Sequence, residues 1–264
     1  MAKTVLIPAA GAGSRFAQAG INTPKPLIRV AGQTLLEHTL SSFRWNYNDQ
    51  LILAVQRQHA IRERLTPVLQ HLHPNLSIHW VELDSLLPGQ LATATKAVEA
   101  IPIAPQQVLL VHNCDTGFCW NDQLDVIQGL ASMAVFEAEG DHWSFGRPDP
   151  EHPDRAIAIA EKERISSLAS IGLYGFRSAA DFLTRARGQL SRGATLRGEH
   201  YIAPMLQQCL VAGEIVHLPR VDGIRLFGTP QELCTTFGIS LEELKLQNDG
   251  AATGHPPNTQ AALN

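Results

Sequence analysis

The sequence predicts an α/β fold, a mostly parallel sheet flanked by helices, and two observations carry that expectation. Short apolar runs of strand length alternate with longer amphipathic stretches through the first half of the chain, in βαβα order. The runs themselves, such as Val108 to Val111, are apolar throughout, which suits strands covered by helices on both faces. With 264 residues, 44% of them apolar and 17% charged, the chain has ample material for such a core.

In chain order, strands are predicted at Thr4 to Pro8, Leu51 to Val55, Leu76 to Val81 and Val108 to His112. The helices between and after them are predicted at Thr34 to Phe43, His59 to Gln70, Gln90 to Ala100 and Asn121 to Leu130. A fifth strand is expected at Met133 to Ala138. The stretch from Gly140 to Arg155 holds three prolines and two glycines and reads as a long loop. Strand-like runs at Ala156 to Glu161 and Ile171 to Phe176 precede helices near Ala179 to Leu190 and His200 to Ala212. Residues 1–245 form one predicted domain, with halves of about 1–135 and 136–245. Residues 246–264 form a tail which, from Gln247 on, has almost no large apolar residue to repay its ordering and is expected to be disordered.

Composition narrows the function. The 21 Lys and Arg stand against 25 Asp and Glu, a net charge of −4, and no basic cluster exists to hold nucleic acid or an anionic membrane. No apolar run reaches the roughly 20 residues that span a bilayer. No signal peptide or anchor is visible, and Cys114, Cys119, Cys209 and Cys234 show no paired spacing, so a reduced cytoplasm and small buried cysteines are expected. His112, Cys114 and Cys119 lie near one another but lack a fourth ligand with zinc-site spacing.

The chemistry starts at the exit of the first strand. Ala9, Ala10, Gly11, Ala12 and Gly13 are small enough to bring backbone N–H groups close to a ligand, and a helix from Ser14 would aim its positive end at the same place. Two phosphate motifs fail the test. A dinucleotide fingerprint needs a small residue where Phe16 stands and an acid after the second strand, where Val55-Gln56-Arg57 is found. A Walker loop needs a lysine after Gly13. What the segment does offer is Arg15 and then Thr23-Pro24-Lys25-Pro26-Leu27, a lysine presented from a loop stiffened by prolines on both sides. Arg15 and Lys25 together suit a triphosphate.

Gly11-Ala12-Gly13-Ser14-Arg15, Pro24-Lys25-Pro26-Leu27 and the following Val30-Ala31-Gly32-Gln33-Thr34-Leu35-Leu36 resemble the nucleotidyltransferases that activate sugar phosphates, in particular the small bacterial enzymes of capsule and surface-polysaccharide synthesis. The resemblance runs over roughly residues 3 to 238. It implies a Rossmann-like, GT-A-like fold in which Ala9, Ala10, Gly11, Gly13, Ser14, Arg15 and Lys25 hold an NTP, while a phosphate oxygen of a second substrate attacks the α-phosphorus and pyrophosphate leaves. Pro88-Gly89-Gln90-Leu91-Ala92-Thr93 matches the segment that reads the base, giving Gly89, Gln90 and Thr93. Asp115, closing His112-Asn113-Cys114-Asp115, matches a Mg²⁺ ligand. Glu161-Lys162 and Gly172-Leu173-Tyr174-Gly175-Phe176 match the acceptor half, where Lys162 grips the acceptor's phosphate. Glu199 and Asp222 are further acceptor-side candidates. One departure stands out: the second metal-binding Asp of the sugar enzymes falls at Leu226, two residues before Gly228-Thr229-Pro230. The expected partners are an NTP and a small phosphorylated acceptor, and a homo-oligomer is compatible with these motifs. A non-catalytic nucleotide-binding subunit and a dinucleotide oxidoreductase are the rival readings.

Overall fold

The computed structural model describes residues 2–104, 106–125, 131–193 and 195–249. β1 (Lys3–Pro8) runs through a glycine loop into the short helix α1 (Ser14–Gln18). A 3-10 turn at Lys25–Leu27 leads to the hairpin β2 (Arg29–Val30) and β3 (Gln33–Thr34), then to α2 (Leu35–Leu40). β4 (Gln50–Gln56), α3 (Ile61–Leu72), β5 (Ser77–Leu83), α4 (Gln90–Ala100), β6 (Val108–His112) and β7 (Thr116–Cys119) follow. Then come β8 (Ala131–Glu137), β9 (Ser144–Pro148), β10 (Ala156–Glu161), β11 (Leu168–Phe176), α5 (Ala179–Ser191) and α6 (Ala203–Val211). The described chain closes with β12 (Val216–His217), β13 (Asp222–Leu226), α7 (Pro230–Phe237) and α8 (Leu241–Asn248).

The strands β5, β4, β1 and β6 lie side by side and parallel, with Leu6 between Ile52 and Val111. This is a doubly wound half, whose ligands gather outside the carboxyl ends of its strands. Beyond β6 the pattern changes. β11 runs antiparallel to β6 and carries β8 and β9, also antiparallel; β10 extends from β9 and β12 from β8. The sheet is therefore mixed, parallel in the first half and organised around β11 in the second.

Alternation along each strand sorts the core onto two faces. Leu6, Ile52 and Val111 pack with α4, α5 and α6, whereas Val5, Ile7, Leu51 and Leu53 pack with α2 and α3. A third cluster, Phe16, Ile28, Leu35, Phe227, Leu233 and Leu244, draws α7 and α8 back over the glycine loop. Full burial of a side chain such as Phe16 or Phe227 contributes on the order of 1.5–3 kcal/mol, enough to anchor a C-terminal segment beside N-terminal loops.

Several expectations need correction. The loop at Gly140 to Arg155 contains β9, whose Phe145 is fully buried; a strand of five residues between prolines and glycines offers too short a pattern to read. The helix expected at Asn121 to Leu130 begins as a 3-10 turn at Asp122–Leu124 capped by Asn121, and its residues 126–130 lie outside the described residues. The tail begins later than 246. Ser240 and Glu243 close a capping box for α8, and Asn248 is buried, its side chain bonded to both the N–H and the C=O of Arg29. Residues 250–264 lie outside the described residues. Only Cys209 of the four cysteines is buried, and Cys119 is exposed. Among the described residues no helix is long and apolar enough to cross a membrane, and no three His, Cys, Asp or Glu side chains converge to hold a metal.

Candidate active site

The glycine loop leaves β1 at the carboxyl edge of the parallel strands. Gly13 adopts a left-handed φ of 64° as the cap of α1, and Gly11, Ser14 and Arg15 around it are exposed. Ala9 and Ala10 are buried beneath them. Their backbone is already committed, the Ala9 N–H to Ala54 O and the Ala10 C=O to the Gln56 side-chain amide at 2.7 Å. Gln56, read from sequence only as a missing acid, is thus the brace of the loop.

Lys25 crosses from the 3-10 turn to the end of β6. Its Nζ lies 2.6 Å from Asp115 Oδ2 and 3.3 Å from Gly228 O, and its stem runs against the Gly13 position. The two side chains are 90 residues apart in sequence and only 13% and 21% exposed. Burial works against an ionised Asp115, but the Lys25 charge and hydrogen bond, with His112 and Arg15 adding to them, outweigh it and hold the carboxyl below its usual range. The buried pair Lys3–Asp49 sits at the opposite end of β1, away from the carboxyl edge, and is structural.

Asp115 is overhung by the late turn. Its C=O accepts from the Phe227 N–H, and Leu226 stands opposite Thr116, directly beside it. Asp222 is not brought to this place: it is exposed at the far end of the β7–β13 pair, opposite Cys119. His112 is wholly buried, its Nε2 at 2.9 Å from Thr116 O, and burial lowers its pKa. Cys114 is half-buried, and loss of solvent around its thiol pushes it up to about 11, which disfavours a thiolate at neutral pH.

The start of α4 joins the two halves. Gly89 has a φ of 98°, and a Cβ there would meet the His200 backbone nitrogen at 2.6 Å, so only glycine lets this turn approach the 199–200 segment. Gln90 Nε2 donates to Asn113 Oδ1 at 2.5 Å, and Asn113 fills the space above Gly172, where a Cβ would lie 2.2 Å from its amide nitrogen. The buried Thr93 hydroxyl is spent on Gly89 O within its own helix.

In the second half of the chain, Lys162 takes a φ of 55°, rare outside glycine, and its Nζ donates to the Tyr201 hydroxyl at 2.6 Å, 4.3 Å from that ring's centre. Tyr201 in turn donates to the Glu199 carboxylate. Glu161 accepts from the Ser144 hydroxyl; burial raises its pKa against the opposing pull of that bond and of Lys162. Tyr174, beside Ser144, is pushed up to about 12, by burial first. Arg15, Lys25 and Asp115 are thus brought to one place, Gln90 and Gly172 meet through Asn113, and Lys162 and Glu199 meet through Tyr201. Sequence reasoning missed Asn113, Ser144 and Tyr201 as linkers, although Asn113 stands inside a quoted motif and Tyr201 lies two residues after Glu199.

Known proteins resemble this chain in sequence and fold. The family described as MobA-like NTP transferase domain matches residues 5–188. A nucleoside-diphosphate-sugar pyrophosphorylase from Vibrio cholerae is 28% identical, with a TM-score of 0.79 over 89% of this chain and 99% of that one. The inositol-1-phosphate CTP transferase from T. maritima superposes with a TM-score of 0.70 at 16% identity, over 93% of this chain and 96% of its own, a likeness of fold. The bifunctional protein GlmU of Azorhizobium caulinodans is 25% identical over 89% of this chain, which spans about half, 50%, of that relative's length.

Proposed function

The chain belongs to the MobA-like NTP transferase domain family and is a nucleotidyltransferase, and on that premise we propose that it moves the nucleoside monophosphate of an NTP onto a small phosphate monoester, releasing pyrophosphate. The observation that carries this reading is the Lys25–Asp115 pair at 2.6 Å, set at the carboxyl ends of the neighbouring strands β1 and β6 beside the glycine loop.

In this reading the loop from Ala9 to Ser14, resting on the committed backbone of Ala9 and Ala10, holds the triphosphate together with Arg15 and Lys25, and Gly89, Gln90 and Thr93 line the base. Lys162 holds the acceptor's phosphate, with Glu161, Gly172 and Glu199 shaping its surroundings. An acceptor phosphate oxygen forms a bond to the α-phosphorus as the bond to the bridging oxygen breaks, and pyrophosphate departs with that electron pair. Lys25 and Arg15 counter the negative charge spread over the transferring group; no side-chain nucleophile is needed, only positioning and fixed charge.

The residues present suit Mg²⁺. Asp115 offers a hard, ionised oxygen, and Gly228 keeps its face open, since a Cβ there would stand 3.3 Å from Oδ2. Held by Asp115, the ion would supply charge neutralisation to the phosphates. We place the enzyme in the cytoplasm, in the supply of activated precursors for capsule or surface polysaccharide, with CTP among the candidate donors.

Pyrophosphate release, measured with each NTP against sugar 1-phosphates and non-sugar phosphate monoesters in Mg²⁺, tests this. At least one pair is expected to react. NTP binding with no release for any pair would overturn the reading in favour of a nucleotide-binding subunit, and enhanced nicotinamide fluorescence would favour the oxidoreductase.

A further inference from the structure

We propose that Glu232, in the first turn of α7, supplies a second carboxylate to the divalent cation held by Asp115. The inference rests on the reading of Asp115 above and takes the place left by Leu226.

Three observations support it. First, a Cβ built on Gly228 would stand 3.1 Å from Glu232 Oε2 and 3.3 Å from Asp115 Oδ2. Two carboxylate oxygens from distant segments therefore converge on one place that only a glycine leaves open.

Second, the side chain of Glu232 departs from its equivalents. Glu37 and Glu243 occupy the same third position of α2 and α8, and each turns its carboxylate back onto the N–H of its cap residue, at 2.8 and 2.7 Å. In α7 only the backbone half of that arrangement forms, the Glu232 N–H donating to the Thr229 hydroxyl at 3.1 Å. The Glu232 carboxylate faces Gly228 instead, and it makes no ion pair among the described residues.

Third, charge calls for it. Lys25 already balances the Asp115 carboxylate. A dication arriving beside that pair meets no net negative charge unless another anion is near, and Mg²⁺ is commonly held by one or two carboxylates with phosphate oxygens and water. The other acids are engaged or remote: Glu199 accepts from Tyr201, and Asp222 lies opposite Cys119.

The test uses Mn²⁺ alone, titrated against the full chain with the free-ion electron paramagnetic resonance signal as readout, so that binding is followed without turnover. Glu232→Gln is expected to weaken Mn²⁺ binding by about tenfold or more, the size of loss found when groups around a metal are altered. It keeps the backbone cap of α7, and its melting curve without metal should match that of the parent. Gly228→Ala, which crowds both oxygens, should weaken binding as well, and Asp222→Asn should not. If Asp115→Asn weakens Mn²⁺ binding and Glu232→Gln does not, the proposal is overturned while the reading of Asp115 stands. If neither variant changes binding, or the parent chain binds no Mn²⁺, both fall together.

Discussion

Lys25 and Lys162 stand in the two halves of one sheet, and each is fixed by a different device. Lys25 is framed by Pro24 and Pro26 and meets a full opposite charge, Asp115, with its carboxyl held below the usual range. Lys162 is held by its own backbone, at a φ of 55°, and by a neutral hydroxyl, Tyr201. Its sequence neighbour Glu161 has the opposite tendency to Asp115, a pKa raised by burial. In the proposed reading, the difference teaches how one fold would prepare for two phosphates. On the nucleotide side, cation and carboxylate stand fully charged and balanced. In the other half burial disfavours the charged form of Glu161, and Lys162 meets a neutral hydroxyl where Lys25 meets a carboxylate. The left-handed backbone costs on the order of 1–3 kcal/mol and persists only because the surroundings dictate it, among them the Lys162 N–H bond to Trp143 O.

The largest effect that can break this comparison is on the nucleotide side. Lys25→Ala should lower the rate of pyrophosphate release on the order of 10²-fold or more at saturating substrates, as expected for one fixed electrostatic group. Circular dichroism checks that Asp115, left without its partner, does not unfold the chain; a folded variant working at near normal rate would place the essential charge elsewhere. Lys162→Ala should act on the other substrate, raising the KM for the phosphorylated acceptor roughly tenfold with little change in NTP affinity, the size of a lost bond to a charged group. An equal loss for both substrates would erase the division between the halves.

Tyr201→Phe sharpens the comparison further. It removes the hydroxyl that receives Lys162 and contacts Glu199 but keeps the ring under the ammonium, and the acceptor's KM should rise about threefold to tenfold with kcat nearly kept. A fall in kcat with an unchanged KM would mean that Tyr201 acts on the reacting centre. The smallest effect is Glu161→Gln. A raised carboxyl contributes stability below its unfolded value of about 4.5, and that contribution is lost as pH rises through the folded value. The variant should therefore gain melting temperature relative to the parent as pH climbs from 4 to 8. Asp115 titrates with the other sign, its contribution present above the unfolded value and lost as pH falls. A parent and variant that melt in parallel across that range would deny Glu161 its suppressed charge.

What was legible in the sequence were the short-range patterns. Strand-length apolar runs gave β1, β4, β5 and β6, and the small residues, prolines and lysine between Ala9 and Leu27 marked the glycine loop and the Lys25 turn, because each of these signals lies within a few residues. Pairings across the chain left no such trace. Gln56 braces Ala10, Asn113 bridges Gln90 and Gly172, and Asn248 completes the edge at Arg29, all through contacts between segments 23 to 219 residues apart. Asn248 shows the cause plainly: its polar neighbours resemble a solvated tail, and only the docking of α8 on the third apolar cluster makes them structural. The Ser240-x-x-Glu243 cap was the signal that could have extended the domain.

The strand β11 carries a mechanical consequence. Buried at every position, it is hydrogen-bonded to β6 of the parallel half and to β8 and β9 of the other, so the sheet passes from one half to the next without a break. Opening the molecule as two lobes would mean tearing a ladder of backbone bonds in a dry core, where each unpaired group costs about 1–3 kcal/mol. In the proposed reading the two substrates would share this continuous ladder. Any motion that admits them would then fall to the segments at the sheet's edge, the glycine loop, the Lys162 turn and the Gly228 turn.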